Sequence, residues 1–218
     1  FIVILNLSIY LLFPQNYLYS QSFSGYEGKH FIIGFMQNEI LDYQRAKILQ
    51  IYIASSYPGN VTIKIQGEAD KFYNITPNKI LRIYVNPNLE VIEEEQILNK
   101  TIEIISDIPI LVYVFNSKET TSHCYTAIPT ERWGKEYVVM SFPNDQYLSS
   151  FYHYGSVDST LLIPRKSEFM ILAKEDETNI TIIPKALTNQ KRSQNYAFNI
   201  TLNKNECYLI QSLSLIHI

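Results

Sequence analysis

Hydrophobic side chains in this chain recur at every second position, not every third or fourth. The segments 61–65 (VTIKI), 81–85 (LRIYV), 101–105 (TIEII) and 180–182 (ITI) show it most cleanly. Alternation of this kind turns one face of an extended segment toward a core and leaves the other in water, so it specifies strands. The pattern predicts strands over 30–36, 47–54, 61–65, 79–85, 101–105, 110–115, 136–141, 159–163, 168–173, 179–183, 196–202 and 206–211. Tyr57-Pro58-Gly59-Asn60, Asn86-Pro87-Asn88 and Pro143-Asn144-Asp145 carry turn chemistry between them. Only 90–99 has the makings of a helical turn, and Glu93, Glu94 and Glu95 assign it to a solvated loop. Composition agrees, with 17 Tyr and 11 Phe against 7 Gly. The expected fold class is all-β, built from tandem antiparallel β-sandwich-like units. A β-propeller-like arrangement of four-stranded blades is the runner-up.

The tandem reading rests on internal similarity. GKHFIIGFMQN at 28–38 matches GKEYVVMSFPN at 134–144. KILQIYIASSYPGNVTIKI at 47–65 matches SEFMILAKEDETNITIIPK at 167–185, and YNITPNK at 73–79 matches FNITLNK at 198–204. The three matches keep their order, and their spacing drifts as loop insertions would make it drift. The first unit is expected over 25–130 and the second, truncated, over 131–212. Trp133 stands between them and is expected to pack in the seam.

Both ends fall outside these units. Residues 1–13 are apolar apart from Asn6 and Ser8, and Pro14 ends the run. A stretch this short does not span a bilayer, which takes about 20 residues. It has the character of a signal-peptide core, with Ser20 and Ser22 suiting cleavage near 22. Residues 1–22 are therefore expected to be a signal peptide whose start is missing. No other segment reads as a membrane anchor. Residues 213–218 (LSLIHI) match what one reading frame of a sequencing adapter encodes and are set aside as a possible artefact.

A secretory route fits the sequons. Asn-x-Ser/Thr occurs at Asn60, Asn74, Asn99, Asn179 and Asn199, all expected to be exposed glycosylation sites. A further sequon at Asn6 lies in the signal segment, and Pro77 lowers the expected occupancy of Asn74. Cys124 and Cys207 are disulfide candidates, either with each other or with cysteines elsewhere. The net charge of −3 includes no basic run, which argues against a nucleic-acid partner.

Catalytic and metal chemistry leave no pattern. The four His residues and two Cys residues have no zinc-ligand spacing. No nucleophile elbow, phosphate loop or dinucleotide fingerprint occurs. The acidic run 174–177 and Glu93-Glu94-Glu95 read as solvated turns before they read as calcium ligands. No catalytic residue, metal or cofactor is expected. A carbohydrate-active enzyme using Glu136 and Asp158 is an unfavoured alternative.

The segment 110–140 reads ILVYVFNSKETTSHCYTAIPTERWGKEYVVM. An apolar strand ends in Asn116, a Thr-rich link leads to Pro129, and Trp133-Gly134-Lys135-Glu136-Tyr137 follows. This order resembles the IgGFc-binding protein N-terminal domain family. Pro129, Trp133, Gly134, Glu136 and Tyr137 are its distinctive letters, and the resemblance extends over 28–212. It implies a non-enzymatic, secreted, extracellular binding or adhesion module. The implied partner is an extracellular protein or glycoprotein, such as mucin, or specifically the Fc part of immunoglobulin G.

Overall fold

The computed structural model describes residues 25–38, 47–118, 122–140 and 166–212. Its organising element is one strand of sixteen residues. Two curled antiparallel sheets share it. The elements are β1 (Gly28–Ile33), β2 (Phe35–Met36), β3 (Ile48–Ala54), β4 (Gly59–Ile65), β5 (Lys71–Ile75), β6 (Leu81–Val85), β7 (Glu90–Val91), β8 (Ile97–Leu98), the long β9 (Ile102–Ser117), β10 (Ser122–Thr126), β11 (Ser167–Leu172), β12 (Thr178–Ile182), β13 (Phe198–Leu202) and β14 (Cys207–Ser212). Single 3-10 turns occupy Pro87–Leu89 and Thr130–Arg132.

The first half of β9 pairs with β1 on one edge and β4 on the other, and β5 extends that sheet beyond β4. The second half pairs with β10 and β3, and β6 follows β3. The changeover falls at 107–109, where no residue has a ladder partner among the described residues. Pro109 has no N–H to donate, so this unpaired stretch tolerates it. The sequence-predicted strands 101–105 and 110–115 are therefore one strand.

Alternation builds the core as expected. Ile102, Ile104, Ile110, Val112 and Val114 point inward from β9. They meet Leu49, Ile51 and Ile53 of β3, Val61 and Ile63 of β4, and Phe31 and Ile33 of β1 in one cluster. Burying each such side chain contributes about 1.5–3 kcal/mol.

The later residues form a second layer. β11 pairs with β14, whose other edge takes the short β8, while β12 and β13 make a hairpin. Phe169, Leu202, Tyr208 and Ile210 pack there. β11 and β14 pair as β3 and β6 do. Leu49 faces Val85 and Ile51 faces Ile83, while Phe169 faces Ile210 and Ile171 faces Tyr208. A third cluster of Val91, Cys207 and Leu209, with Met36, Leu98 and Met170 against it, joins the layers.

Several expectations need correction. Residues 136–139 form no strand, and their side chains are mostly exposed. β5 and β10 are strands that the alternation did not pick out. Across the turns at 55–58 and 173–177 the flanking strands do not pair: β3 does not pair with β4, nor β11 with β12. The predicted strand 159–163 and the turn at 143–145 lie outside the described residues.

Candidate functional site

The residues that carry the family resemblance gather where the 3-10 turn Thr130–Arg132 meets β1. Pro129 is buried and caps the turn, and a Cβ on Gly28 would collide with its ring. Trp133 closes the turn, half-buried, with its indole Nε1–H donating to the Ile128 carbonyl at 2.9 Å. Gly134, Glu136 and Tyr137 are exposed. Asp158, the carboxylate proposed as the partner of Glu136, lies outside the described residues.

Behind this turn lies a polar line. His30 Nε2 sits 2.7 Å from Glu103 Oε1 and His30 Nδ1 sits 2.7 Å from Thr130 Oγ1. A carboxylate only accepts, so Nε2 carries a proton, and in the neutral ring Nδ1 accepts from the Thr130 hydroxyl. Hydroxyl, imidazole and carboxylate follow the order of a nucleophilic triad. Thr130, however, is only 4% exposed, which denies a substrate access to its hydroxyl. The line ties β1, β9 and the turn together. Lys204 Nζ completes it at 2.8 Å from Glu103 Oε1. Burial raises the Glu103 carboxyl, but Lys204 and His30 outweigh it and hold the group below its usual range.

A second polar network fills the junction of the layers. Glu90 is 3% exposed and pairs with Lys47. Its Oε1 accepts from the Asn38 backbone N–H at 2.7 Å and from Asn116 Nδ2 at 2.9 Å. Glu94 pairs with Lys166 and accepts from Asn189, while Glu95 pairs with Arg192 and accepts from Thr188. Glu93 pairs with Lys100 at 2.8 Å. The acidic run is therefore an ion-paired junction and not a solvated loop, because Lys100 lies close by in sequence while Lys166, just before β11, and Arg192, in the β12–β13 connection, reach it from afar. Glu168 lies in the same network and accepts from Gln211 Nε2 at 2.7 Å. Burial first, and the nearby Glu90 and Glu94 charges, push its carboxyl up to about 7 against Gln211 and Lys166. No group of His, Cys, Asp or Glu among the described residues has the arrangement of a metal site.

The predicted glycan acceptors all reach the surface. Asn60 on β4 faces Asn74 on β5, and Asn99 precedes β9. On the β12–β13 hairpin the two sequons interlock. Thr201 Oγ1 donates to Asn179 Oδ1 and Thr181 Oγ1 donates to Asn199 Oδ1, each at 2.8 Å. Cys124 is exposed on β10 and Cys207 is buried on β14, and both are free thiols. The two are not bonded to each other in the structure.

Sequence reasoning missed the outward face of the second sheet. Tyr52 and Phe115 stack with ring centroids 4.5 Å apart, and Arg82 lies over Tyr52 at 4.9 Å. The period-two pattern places these residues outward but does not show that they assemble across three strands. Among the described residues no helix is long and apolar enough to cross a membrane.

No curated protein and no solved structure matches this chain. Residues 123–216, which run from β10 through the Pro129–Tyr137 segment and past β14, match the family model described as IgGFc binding protein.

Proposed function

We propose that the chain is a secreted, N-glycosylated, non-enzymatic module that binds an extracellular protein or glycoprotein. The family match over 123–216 carries this reading, since that family is described by what it binds. Three features support it: the signal-like residues 1–22, the exposed acceptors Asn60, Asn74, Asn99, Asn179 and Asn199, and the enclosure of the Thr130–His30–Glu103 line. We assign two units, 25–130 and 131–212. The like registers of β3 with β6 and β11 with β14 support the division. The two are not independent bodies, because Glu103–Lys204, Glu94–Lys166 and Glu95–Arg192 stitch them together.

The narrower reading is specific capture of immunoglobulin G Fc, which only the family description favours. The test is binding of the chain, produced in a secretory host, to immobilised Fc beside Fab and mucin at physiological salt. Saturable binding to Fc alone establishes the narrower reading. Binding to mucin leaves the broader one, and binding to none of the three counts against both. Treatment with an N-glycosidase should lower the apparent mass. An unchanged mass removes the glycoprotein part.

A further inference from the structure

We propose that the outward face of the sheet β10–β9–β3–β6 docks a protein loop presenting a carboxylate beside an apolar side chain. The proposal deepens the reading of the chain as a protein-binding module and rests on it.

Strand register assembles the face. Phe115, Gln50 and Tyr84 stand opposite one another in one row, and Tyr113, Tyr52 and Arg82 in the next. Tyr84 is 62% exposed and Tyr113 37%. These side chains are held before any partner arrives. Arg82 rests on the Tyr52 ring and its Nη1 donates to the Tyr84 hydroxyl at 3.4 Å, while the Tyr52 hydroxyl donates to Gln50 Oε1 at 2.6 Å. Side chains already ordered lose less entropy on association. Tyr and Arg are also the residue types that dominate binding hot spots.

Charge names the occupant. On the outward positions of β10, β3, β6 and the second half of β9, residues 110–117, Arg82 is the single charged side chain. Among the described residues no carboxylate pairs with it, whereas Arg192, which also covers a ring, is paired with Glu95. A guanidinium offers a fork of donors that matches a carboxylate, and the exposed rings of Tyr84 and Tyr113 beside it offer apolar surface to a neighbouring side chain. The sequons complete the argument by their position. Asn60 and Asn74 lie on β4–β5, Asn179 and Asn199 on β12–β13, and Asn99 before β9, so none of these acceptors stands on the aromatic face itself.

The test pans a phage-displayed library of random dodecapeptides on the full chain from a secretory host. The expected winners carry Asp or Glu next to an aromatic or aliphatic residue. Their synthetic copies should bind Arg82→Gln and Tyr84→Ala about tenfold more weakly than the unaltered chain, and Lys191→Gln equally well. Matching urea midpoints would show that the variants fold. Winners without acidic residues, winners indifferent to Arg82→Gln, or no winners at all overturn the proposal. Fc and mucin capture measured on the same variants separates the two claims. Capture that survives Arg82→Gln refutes this face and leaves the binding function standing. Acidic winners that depend on Arg82, with no Fc or mucin capture, support the face and remove those two partners.

Discussion

Lys204 Nζ lies 2.8 Å from Glu103 Oε1, so an ion pair joins the turn before β14 to the first half of β9. The carboxylate is nearly enclosed and also accepts from His30. Lys204 is 43% exposed and water solvates it once its partner is gone, so the cost of neutralising Glu103 falls on the charge-assisted hydrogen bonds that its enclosed carboxylate accepts.

Glu103→Gln is therefore expected to lower stability by about 1–3 kcal/mol at neutral pH. The sign of the pH dependence follows from the depressed carboxyl. The folded state holds Glu103 ionised below the pH at which the unfolded chain protonates it. Its contribution is present above about pH 4.5 and is lost as pH falls through the folded value. Urea unfolding of both proteins between neutral and acid pH checks this. A variant as stable as the unaltered chain at pH 7, or one with the same acid slope, counts against the role given to the pair.

Glu168 runs the other way. Its folded carboxyl is raised to about 7, so the folded state holds a proton that the unfolded chain has released. Stability from this site is present below the unfolded value near 4.5 and is lost as pH rises through about 7. The loss is on the order of 3 kcal/mol. Glu168→Gln keeps an oxygen to accept from Gln211 and removes the titration. The unaltered chain should lose stability relative to this variant between mildly acid and mildly basic pH. Parallel profiles for the two would show that Glu168 does not titrate in this range.

How far the sequence led depended on whether an element buries a face. β3, β4 and β6 carry apolar residues at alternate positions, and all three form where the alternation placed them. β5 and β10 lie at sheet edges, and each buries little. Phe72 of β5 is 75% exposed, and Ser122, His123, Cys124 and Tyr125 of β10 are all exposed. No period announces such a strand, because its partner strand and not its own burial defines it. β9 shows as two strands in the sequence because residues 106–109 interrupt the alternation, and this is the stretch where Asp107 and Pro109 fit an unpaired crossing between sheets. Glu93, Glu94 and Glu95 looked solvated because their cations, at Lys100, Lys166 and Arg192, mostly come from distant segments. The aromatic face was hidden for the same reason. Tyr52, Arg82, Tyr84 and Phe115 come from three strands, and only the ladder register brings them together.

Gly28 opens β1 against Pro129. A Cβ there would overlap the proline Cβ and lie 2.8 Å from its Cγ. A pyrrolidine ring cannot swing aside, so Gly28→Ala is expected to cost about 1–3 kcal/mol and to disturb the turn beneath Trp133. Gly34→Ala makes a useful comparison. Its Cβ would meet mainly the Met170 methyl, the free end of a flexible side chain that can give way. Thermal unfolding of the two should place Gly28→Ala well below Gly34→Ala, with Trp133 fluorescence altered only in the former. The reverse order would contradict the close contact of Gly28 with Pro129.

The thiols offer a direct check on how the layers are joined. Cys124 is exposed on β10 beside Phe115, while Cys207 is fully buried, and its Sγ donates to the Leu98 carbonyl at 3.3 Å. Burial raises the Cys207 thiol above its usual value, which removes the reactive thiolate as well as access to it. A maleimide reagent should modify Cys124 rapidly and Cys207 only after unfolding, with Cys124→Ser abolishing the fast phase. Because Cys124 and Phe115 share the outward face, the same label on Cys124 should also block the acidic peptides that depend on Arg82. Two thiols reacting at one rate in the folded chain would mean that β14 is not packed against β8. No fast-reacting thiol would mean that Cys124 is covered or paired.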